Sequence, residues 1–401
     1  MGSGSFNKKT VDDVQFAGQR ALVRVDFNVP ISEGGKIADD TRIRETLPTL
    51  RKIIADGGSV VLMSHLGRPK GKVVDSMRLK PVAARLSELI GRPVRALGDS
   101  AGPEIEKQVA GLKPGEVALL ENLRFHPEEE SNDPGFSKSL SKLGTVYVND
   151  AFGTAHRAHA STAGVAEYLK PRIAGYLMKK EIEYLGRILS NPARPFVAVF
   201  GGAKVSSKLS VLKSLISKVD CLLIGGAMTY TFVAARGGQI GRSLCEKELF
   251  QEAIDILTEA ERRRVQVILP TDSRTVQDIE NPGTLKVFPS DQIPDDREGI
   301  DIGPETTKRF SEALRDAKTV FWNGPLGKFE RPEYADGTFS FARALAGCGA
   351  VKVVGGGDCV AAVIGAGVAD KIDHVSTGGG ASMEFLEGKV LPGVAVLDDQ
   401  V

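Results

Sequence analysis

Arginines, a histidine and an Asp/Asn pair stand just behind short apolar runs in the first half of the chain. They are Arg24, Asp26 and Asn28 in VRVDFNVP, Arg42 in DDTRIR, His65 and Arg68 in SHLGRP, Arg124 in ENLRFHP and Arg157 in GTAHRAHAST. Guanidiniums gathered without matching carboxylates repel one another where the dielectric is low. An anionic ligand relieves that repulsion, and arginine's planar fork takes phosphate or carboxylate through two bonds at once. Any one of these arginines could be an ordinary surface charge; the set points to an anion site. His156 and His159 are three apart with no third ligand in register, so they read as a polar loop. His126, ahead of a proline and three glutamates, reads as exposed.

The second half offers glycine instead. VVGGGDCVAAV (Val353–Val363) reads as a strand, the turn Gly355-Gly356-Gly357, and a helix starting at or just after Asp358. Bare backbone lets a ligand come close, and a helix N-terminus attracts an anion. A carboxylate in that place makes sense if a metal ion accompanies the anion. GGAKVSSKL (Gly201–Leu209) follows another apolar run and reads as the opening of a helix. Lys204 and Lys208, four apart, would then share one helix face and oppose the macrodipole unless an anion sits there. A tight turn with exposed lysines would account for that motif taken alone. FWNGPLGKFE adds a rigid turn after Asn323 that ends in Glu330, an acid able to meet a ribose hydroxyl, and STGGGAS supplies a third glycine turn, Gly378, Gly379 and Gly380. With Gly202, Gly225 and Gly226, these turns describe a surface whose backbone amides meet a polyphosphate. Neither GxxxxGK[ST] nor a complete GxGxxG is present, which counts against a Walker loop and against a dehydrogenase.

These residues need elements to hold them. Apolar runs such as ALVRVDF, SVVLMSH, PFVAVFGG, DCLLIGG, KTVFWNG and AVKVVGGG alternate with helical stretches at 42–55, 81–90, 206–217 and 246–263. Runs of this kind suit strands buried on both faces of a parallel sheet, and the alternation predicts α/β architecture. In such sheets ligands gather outside the carboxyl ends of the strands, where the polar residues and glycines fall. Residues 177–189 read as one helix, stopped by Pro192 and Pro195, and connect two α/β lobes. Residues 283–303 read as loop or short antiparallel strands.

The chain of 401 residues, 42% hydrophobic, is long enough for two domains. With 52 basic and 51 acidic residues it does not fit a general binder of nucleic acid or membrane surface. Cys221, Cys245, Cys348 and Cys359 lie far apart without CxxC spacing and suit a reducing compartment. No apolar run reaches the roughly 18 residues of a membrane span, and no signal-peptide core is present, so a cytoplasmic protein is expected. Met1–Ser5 (MGSGS) is set aside as a floppy or added start.

In their order, RVDFNVP, SHLGRP, ENLRF, NDAFGTAHRAHAST, GGAKVSSKL, FWNGPLGKFE, GGGD and STGGGAS resemble the phosphoglycerate kinase family over nearly the whole chain. The resemblance implies two Rossmann-like lobes with mostly parallel sheets, joined by a helical hinge across a cleft. Residues 6–176 would bind 3-phosphoglycerate or 1,3-bisphosphoglycerate, 177–194 would form the hinge, and 195–389 would bind ADP or ATP with Mg²⁺. The tail 390–401 would return to the first lobe. Asp26, Asn28, Arg42, His65, Arg68, Arg124 and Arg157 would hold the phosphoglycerate, with Arg24, Leu66 and Gly67 in the same set. Gly202 and Gly226 would border the adenine, with Gly225 in the nucleotide-binding set; Glu330 would meet the ribose, and Lys204 and Lys208 the phosphates. Asp358 would ligate Mg²⁺. Asn323, Gly355, Gly356, Gly357 and Cys359 complete the implied nucleotide set, and Gly378, Gly379 and Gly380 would give amides to the transition state.

The reaction implied is reversible in-line transfer of the acyl phosphate of 1,3-bisphosphoglycerate to ADP, with closure of the lobes and no covalent enzyme intermediate. Arg42, Lys204 and Lys208 would stabilise the transferring group. A monomer is expected, with no nucleic-acid or membrane partner. Two departures from the family pattern stand out. Cys359 replaces the usual Thr or Ser, and a thiol is a weak donor; either nucleotide binding or rate suffers, or the backbone N–H alone does the binding. LPTDSRTVQD (Leu269–Asp278) stands where an apolar stretch is usual and suggests an altered loop beside the nucleotide lobe. The alternative is a catalytically silent metabolite-binding relative, against which the intact arginine set and lysine pair count.

Overall fold

The structure is a computed structural model that describes residues 6–32 and 34–400; Met1–Ser5 lie outside the described residues. The chain divides into two compact units. One takes residues 6–183 with 390–400, the other residues 184–389.

The first unit is built on six parallel strands: β1 (Arg20–Arg24), β2 (Ser59–Met63), β3 (Val94–Ala96), β4 (Val117–Leu119), β5 (Val146–Asn149) and β6 (Arg172–Ala174), in the order β3-β4-β2-β1-β5-β6. The central strands are rich in Val and Leu and buried along nearly their whole length, as strands covered by helices on both faces must be. The helices Thr41–Ala55 and Lys80–Ile90 lay Ile43, Leu47, Leu50, Ile53, Val82 and Leu86 on this sheet. Gly91, with φ +71°, ends the second of them in the left-handed conformation that glycine adopts at least cost. The C-terminal segment completes this unit. Arg172 binds Asp398 through its backbone N–H at 2.9 Å and its side chain at 2.6 Å, and Asn149 Nδ2 donates to the Gly393 carbonyl at 2.9 Å.

The second unit has its own six-stranded parallel sheet. In chain order its strands begin with β7 (Phe196–Phe200) and β8 (Cys221–Ile224), then β9 (Gln239–Ile240) of a two-stranded pair, then β10 (Gln266–Ile268). There follow β11 (Asp272–Val276), β12 (Lys286–Pro289), β13 (Gln292–Ile293) and β14 (Glu298–Ile302), and finally β15 (Thr319–Asn323), β16 (Val351–Gly355) and β17 (His374–Ser376). The main sheet runs β10-β8-β7-β15-β16-β17, while β12-β11-β14 form a small antiparallel sheet and β13 pairs with β9. Trp322, Phe310 and Phe341 pack edge to face at the centre of the core. The strand order reverses between β7 and β15, so the carboxyl ends of these two strands frame the crevice where such sheets bind ligands.

The helix Tyr176–Ser190 carries the chain from one unit into the next. At its start, Asp150 Oδ1 accepts the Met178 N–H at 3.1 Å. A side chain at Gly175 would stand 2.1 Å from that carboxylate, so the capping contact needs glycine there. Burial raises the Asp150 carboxyl to about 6.

Several expected elements are corrected. The helix expected over 206–217 is only Leu209–Leu215, because residues 201–208 are taken up by the turn leading from β7. The helix expected from 246 begins at Phe250, after a short tight turn at Lys247–Leu249. LPTDSRTVQD is not a loop: β11 lies inside it.

Candidate active site

In the first unit, the residues behind β1, β2 and β4 form a bonded cluster. Arg42, from the first turn of its helix, pairs with Asp26 at 3.1 Å and donates to the Asn28 carbonyl at 3.2 Å. Asn28 Oδ1 accepts the Gly67 N–H at 2.9 Å, and Arg124 donates to the Gly67 carbonyl at 2.9 Å. Burial pushes the Asp26 carboxyl up, yet Arg42, His65 and Arg24 bring it out below the usual carboxylate range. Arg68 and Arg157 are exposed; Arg157 Nε lies 3.1 Å from Nε2 of its neighbour His156, and Arg68 has no hydrogen bond or ion pair among the described residues.

Four expectations change here. Arg24 is 1% exposed and each of its three side-chain nitrogens has a protein partner, so it stands behind the site. The arginines are not without carboxylates, since Glu130 pairs with Arg124 at 3.3 Å and Glu129 is fully buried nearby. His126 is partly covered, paired with Asp99 at 2.6 Å and stacked on Phe136, and His159 is buried, which lowers its ring to about 4.

Asn122 stands in the ENLRFHP stretch that follows β4. Its Nδ2 donates to the carbonyls of Leu66 and Met77 at 2.8 and 2.9 Å, and its Oδ1 accepts the N–H groups of Leu66 and Arg124. That one amide ties the SHLGRP and ENLRF turns together. Leu66 is buried and contributes through this backbone link.

In the second unit the glycines divide into two kinds. A side chain at Gly201 would fall 2.1 Å from the Pro325 carbonyl, and one at Gly324 2.2 Å from the Gly201 carbonyl. These glycines let the turns after β7 and β15 pack backbone to backbone. By contrast, side chains at Gly202, Gly357 and Gly379 would meet nothing within 4 Å, so their backbone faces open space. Gly225 lies against Leu326, Gly226 against the Gly202 backbone, and Gly356 against Asn323.

Beside these turns lies a cavity of about 370 Å³. Its walls include Gly202, Gly226, Tyr230, Leu244, Ile300, Pro325 and Leu326, with Glu330 and Asp358 among its polar residues. An apolar slot with a few placed polar groups is what a purine needs. Tyr230, Leu244 and Ile300 stand outside every motif singled out in the sequence, since ordinary apolar residues become a wall only through their place. Ser273 of β11 also lines the cavity.

Lys204 and Lys208 do not share a helix face. Lys204 is exposed in the turn, and Lys208 is the residue just before the helix Leu209–Leu215. Lys208 Nζ donates to Asn323 Oδ1, and Asn323 Nδ2 donates to the Gly355 carbonyl at 2.7 Å. Burial lowers the Lys208 ammonium below its ordinary value. The turn is braced by Glu246, which accepts the Ser206 N–H at 3.0 Å and hydroxyl at 2.6 Å. Asp358 stands exposed in the first turn of the helix Gly357–Gly365, which starts one residue earlier than expected. Cys359 is wholly buried in the core, and burial pushes its thiol up. Its side chain is core packing, which leaves its backbone N–H as the group available at the helix start. Gly378 lies behind β17, and Gly379 and Gly380 open the short helix Gly380–Leu386.

The phosphoglycerate kinase family profile matches residues 11–389. The chain belongs to the phosphoglycerate kinase family. It is 55% identical over 395 residues to the phosphoglycerate kinase of Chloroherpeton thalassium, covering 98% of this chain and 99% of that one. It is likewise 55% identical over 385 residues to that of Synechococcus elongatus, covering 95% and 96%. Among solved structures, the phosphoglycerate kinase of Coxiella burnetii matches with a TM-score of 0.87 at 38% identity, over 97% of this chain and 98% of that one. The enzyme of Pyrococcus horikoshii matches with a TM-score of 0.85 at 34% identity, with the same coverage. The chain is thus a glycolytic phosphotransferase with a carboxyl group as acceptor, working on 3-phosphoglycerate and ATP or ADP. Among the described residues no helix is long and apolar enough to cross a membrane.

Proposed function

We propose that the first unit binds phosphoglycerate through Arg42, His65, Arg68, Arg124 and Arg157, with Asp26 and Asn28 fixing Arg42 and the Gly67 turn. The second unit binds the nucleotide: adenine in the apolar cavity, ribose at Glu330, phosphates at Lys204, Lys208 and the open backbone of Gly202, Gly357 and Gly379. The observation that carries this reading is the cavity at the β7–β15 reversal, with the open backbone of Gly202 and the Asp358 carboxylate in its wall.

Asp358 fits a magnesium ion that arrives with the nucleotide. Its carboxylate is exposed and has no hydrogen bond or ion pair among the described residues. Among those residues no cluster of three or more His, Cys, Asp or Glu forms a metal cage, and Mg²⁺ bound to nucleotides commonly uses one or two carboxylates plus phosphate oxygens. When bound, the ion neutralises phosphate charge.

The chain's own residues position and stabilise. The attacking oxygen is already ionised, so no general base is needed and the work is alignment and charge compensation. Lys208, released from Asn323, and Lys204 on its braced turn would follow the charge of the transferring phosphoryl group, while Arg42, held by Asp26, would do so from the acceptor side. Water is a competing acceptor, so transfer requires the lobes to close over both substrates. The protein acts as a cytoplasmic monomer.

The test is magnesium-dependent formation of 1,3-bisphosphoglycerate from ATP and 3-phosphoglycerate, coupled to NADH oxidation. Turnover that collapses in Arg42→Ala supports the assignment. Bound ATP without turnover in the unaltered chain would replace it with the silent-relative reading.

A further inference from the structure

Behind the arginine cluster runs a chain of buried polar groups that the assignments above leave unused. Glu129 accepts the Ser161 hydroxyl at 2.6 Å and the Ser161 backbone N–H at 3.0 Å. With its proton given to Glu129, the Ser161 oxygen accepts from Arg24 Nε at 2.7 Å. Arg24 also donates to the Val25 carbonyl, and its remaining terminal nitrogen stands 3.2 Å from His65 Nδ1. Ser161 is itself fixed on a wide helical turn, Ala160–Gly164, whose carbonyls at Ser161 and Thr162 accept the Tyr147 hydroxyl at 2.9 and 3.2 Å. Glu129 and Ser161 are fully buried, Arg24 is 1% exposed and His65 4%.

A guanidinium donates and never accepts. The nitrogen facing it must therefore present a lone pair, which leaves the ring proton on Nε2. We infer that Arg24, held in place by Ser161 and Glu129, fixes His65 as the neutral Nε2–H tautomer, so that His65 meets an anionic ligand only as a hydrogen-bond donor. Its functional weight rests on the assignment of His65 to the phosphoglycerate site; the tautomer itself does not.

The surroundings exclude the other two forms. An imidazolium would add a cation beside Arg24, Arg124 and Arg42. Burial first, then those charges, holds the His65 ring well below its ordinary value in spite of Asp26. The Nδ1–H tautomer would aim a proton at the guanidinium and a lone pair at the oxygens of an incoming anion. Glu129 supplies the opposite charge that a buried guanidinium needs. Arg24, Ser161 and Glu129 are positioning residues that act through His65.

Two-bond proton–nitrogen correlation spectra of the ¹⁵N-labelled full-length chain read the tautomer directly, with His65 assigned by the signals lost in His65→Gln. The expected result is a protonated Nε2 and an unprotonated Nδ1 on both sides of neutral pH. In Ser161→Ala a mixture of tautomers should appear, and KM for 3-phosphoglycerate should rise about tenfold while kcat and the nucleotide KM move less than about twofold. A protonated Nδ1 or an imidazolium in the unaltered chain overturns the inference, and so does a single Nε2–H form that persists in Ser161→Ala. A His65→Gln variant with unchanged KM for 3-phosphoglycerate would overturn the substrate assignment instead, whatever the spectra show.

Discussion

Lys208 is hydrogen-bonded to Asn323, while Lys204 on the same turn is exposed. The two lysines should therefore fail differently. Lys204→Ala is expected to lower kcat roughly 10²- to 10³-fold, the loss typical of one donor aimed at developing charge, with little change in nucleotide KM. Stopped-flow or coupled assays over a range of ATP concentrations separate the two parameters. Glu330→Gln should do the reverse, raising the KM for ATP about fivefold, as one hydrogen bond worth roughly 1 kcal/mol would, and leaving kcat near its original value. Cys359→Thr should leave both parameters unchanged, because the side chain at 359 is enclosed in the core. A twofold or larger gain in nucleotide affinity in that variant would mean that a hydroxyl there reaches the ligand.

At the scale of elements, the turns after β7 and β15 are a single piece of construction in which two glycines let backbones touch. Gly324, with φ +89° and the Gly201 carbonyl 2.2 Å from any added side chain, has no room to give. Gly324→Ala should destabilise the second unit by on the order of 2 kcal/mol and weaken ATP binding, readable by denaturant unfolding and by calorimetric titration. Much of this framework was legible beforehand. The runs that became β1, β2, β7, β15 and β16 are continuous, apolar and β-branched, and helix-covered parallel strands must look like that. The edge strands β3, β6 and β17 were not, because VRA, RIA and HVS are three residues long and show no pattern of their own. The glycine turns were visible as composition, yet only the structure separates those that serve packing from those that face open space. The cavity wall and the buried Glu129 stayed hidden for opposite reasons. Tyr230, Leu244 and Ile300 look like any core residues, and Glu129 sits in a PEEE run that charge alone assigns to solvent.

The molecule as a whole carries a pH response that differs between its units. In the second unit Asp301 lines the cavity and accepts the Gly337 N–H at 2.6 Å and the Thr338 hydroxyl at 3.0 Å, and burial raises its carboxyl to about 7. A carboxyl raised on folding binds its proton more tightly in the folded chain. Its contribution is complete below the ordinary value of 3.8 and is lost as pH rises through about 7. In the first unit, burial lowers His65 and His159, whose contributions are lost as pH falls below 6.5, while it raises Asp150 and Glu129, which work in the opposite sense. In the first unit these groups oppose one another on mild acidification, whereas in the second Asp301 should add stability. Trp322, the one tryptophan in the sequence, lies in β15 and reports on the second unit alone. Its unfolding midpoint in denaturant should be higher at about pH 5 than at about pH 8, and Asp301→Asn should remove most of that difference. A midpoint that falls on acidification would show Asp301 to be ionised throughout. The returning segment has a consequence of another kind. Because residues 390–400 belong with residues 6–183, the second unit is an insertion in the middle of the first. On the ribosome the unit begun first is therefore finished last, and its sheet waits for Gly393 and Asp398 until all of its guest has been synthesised.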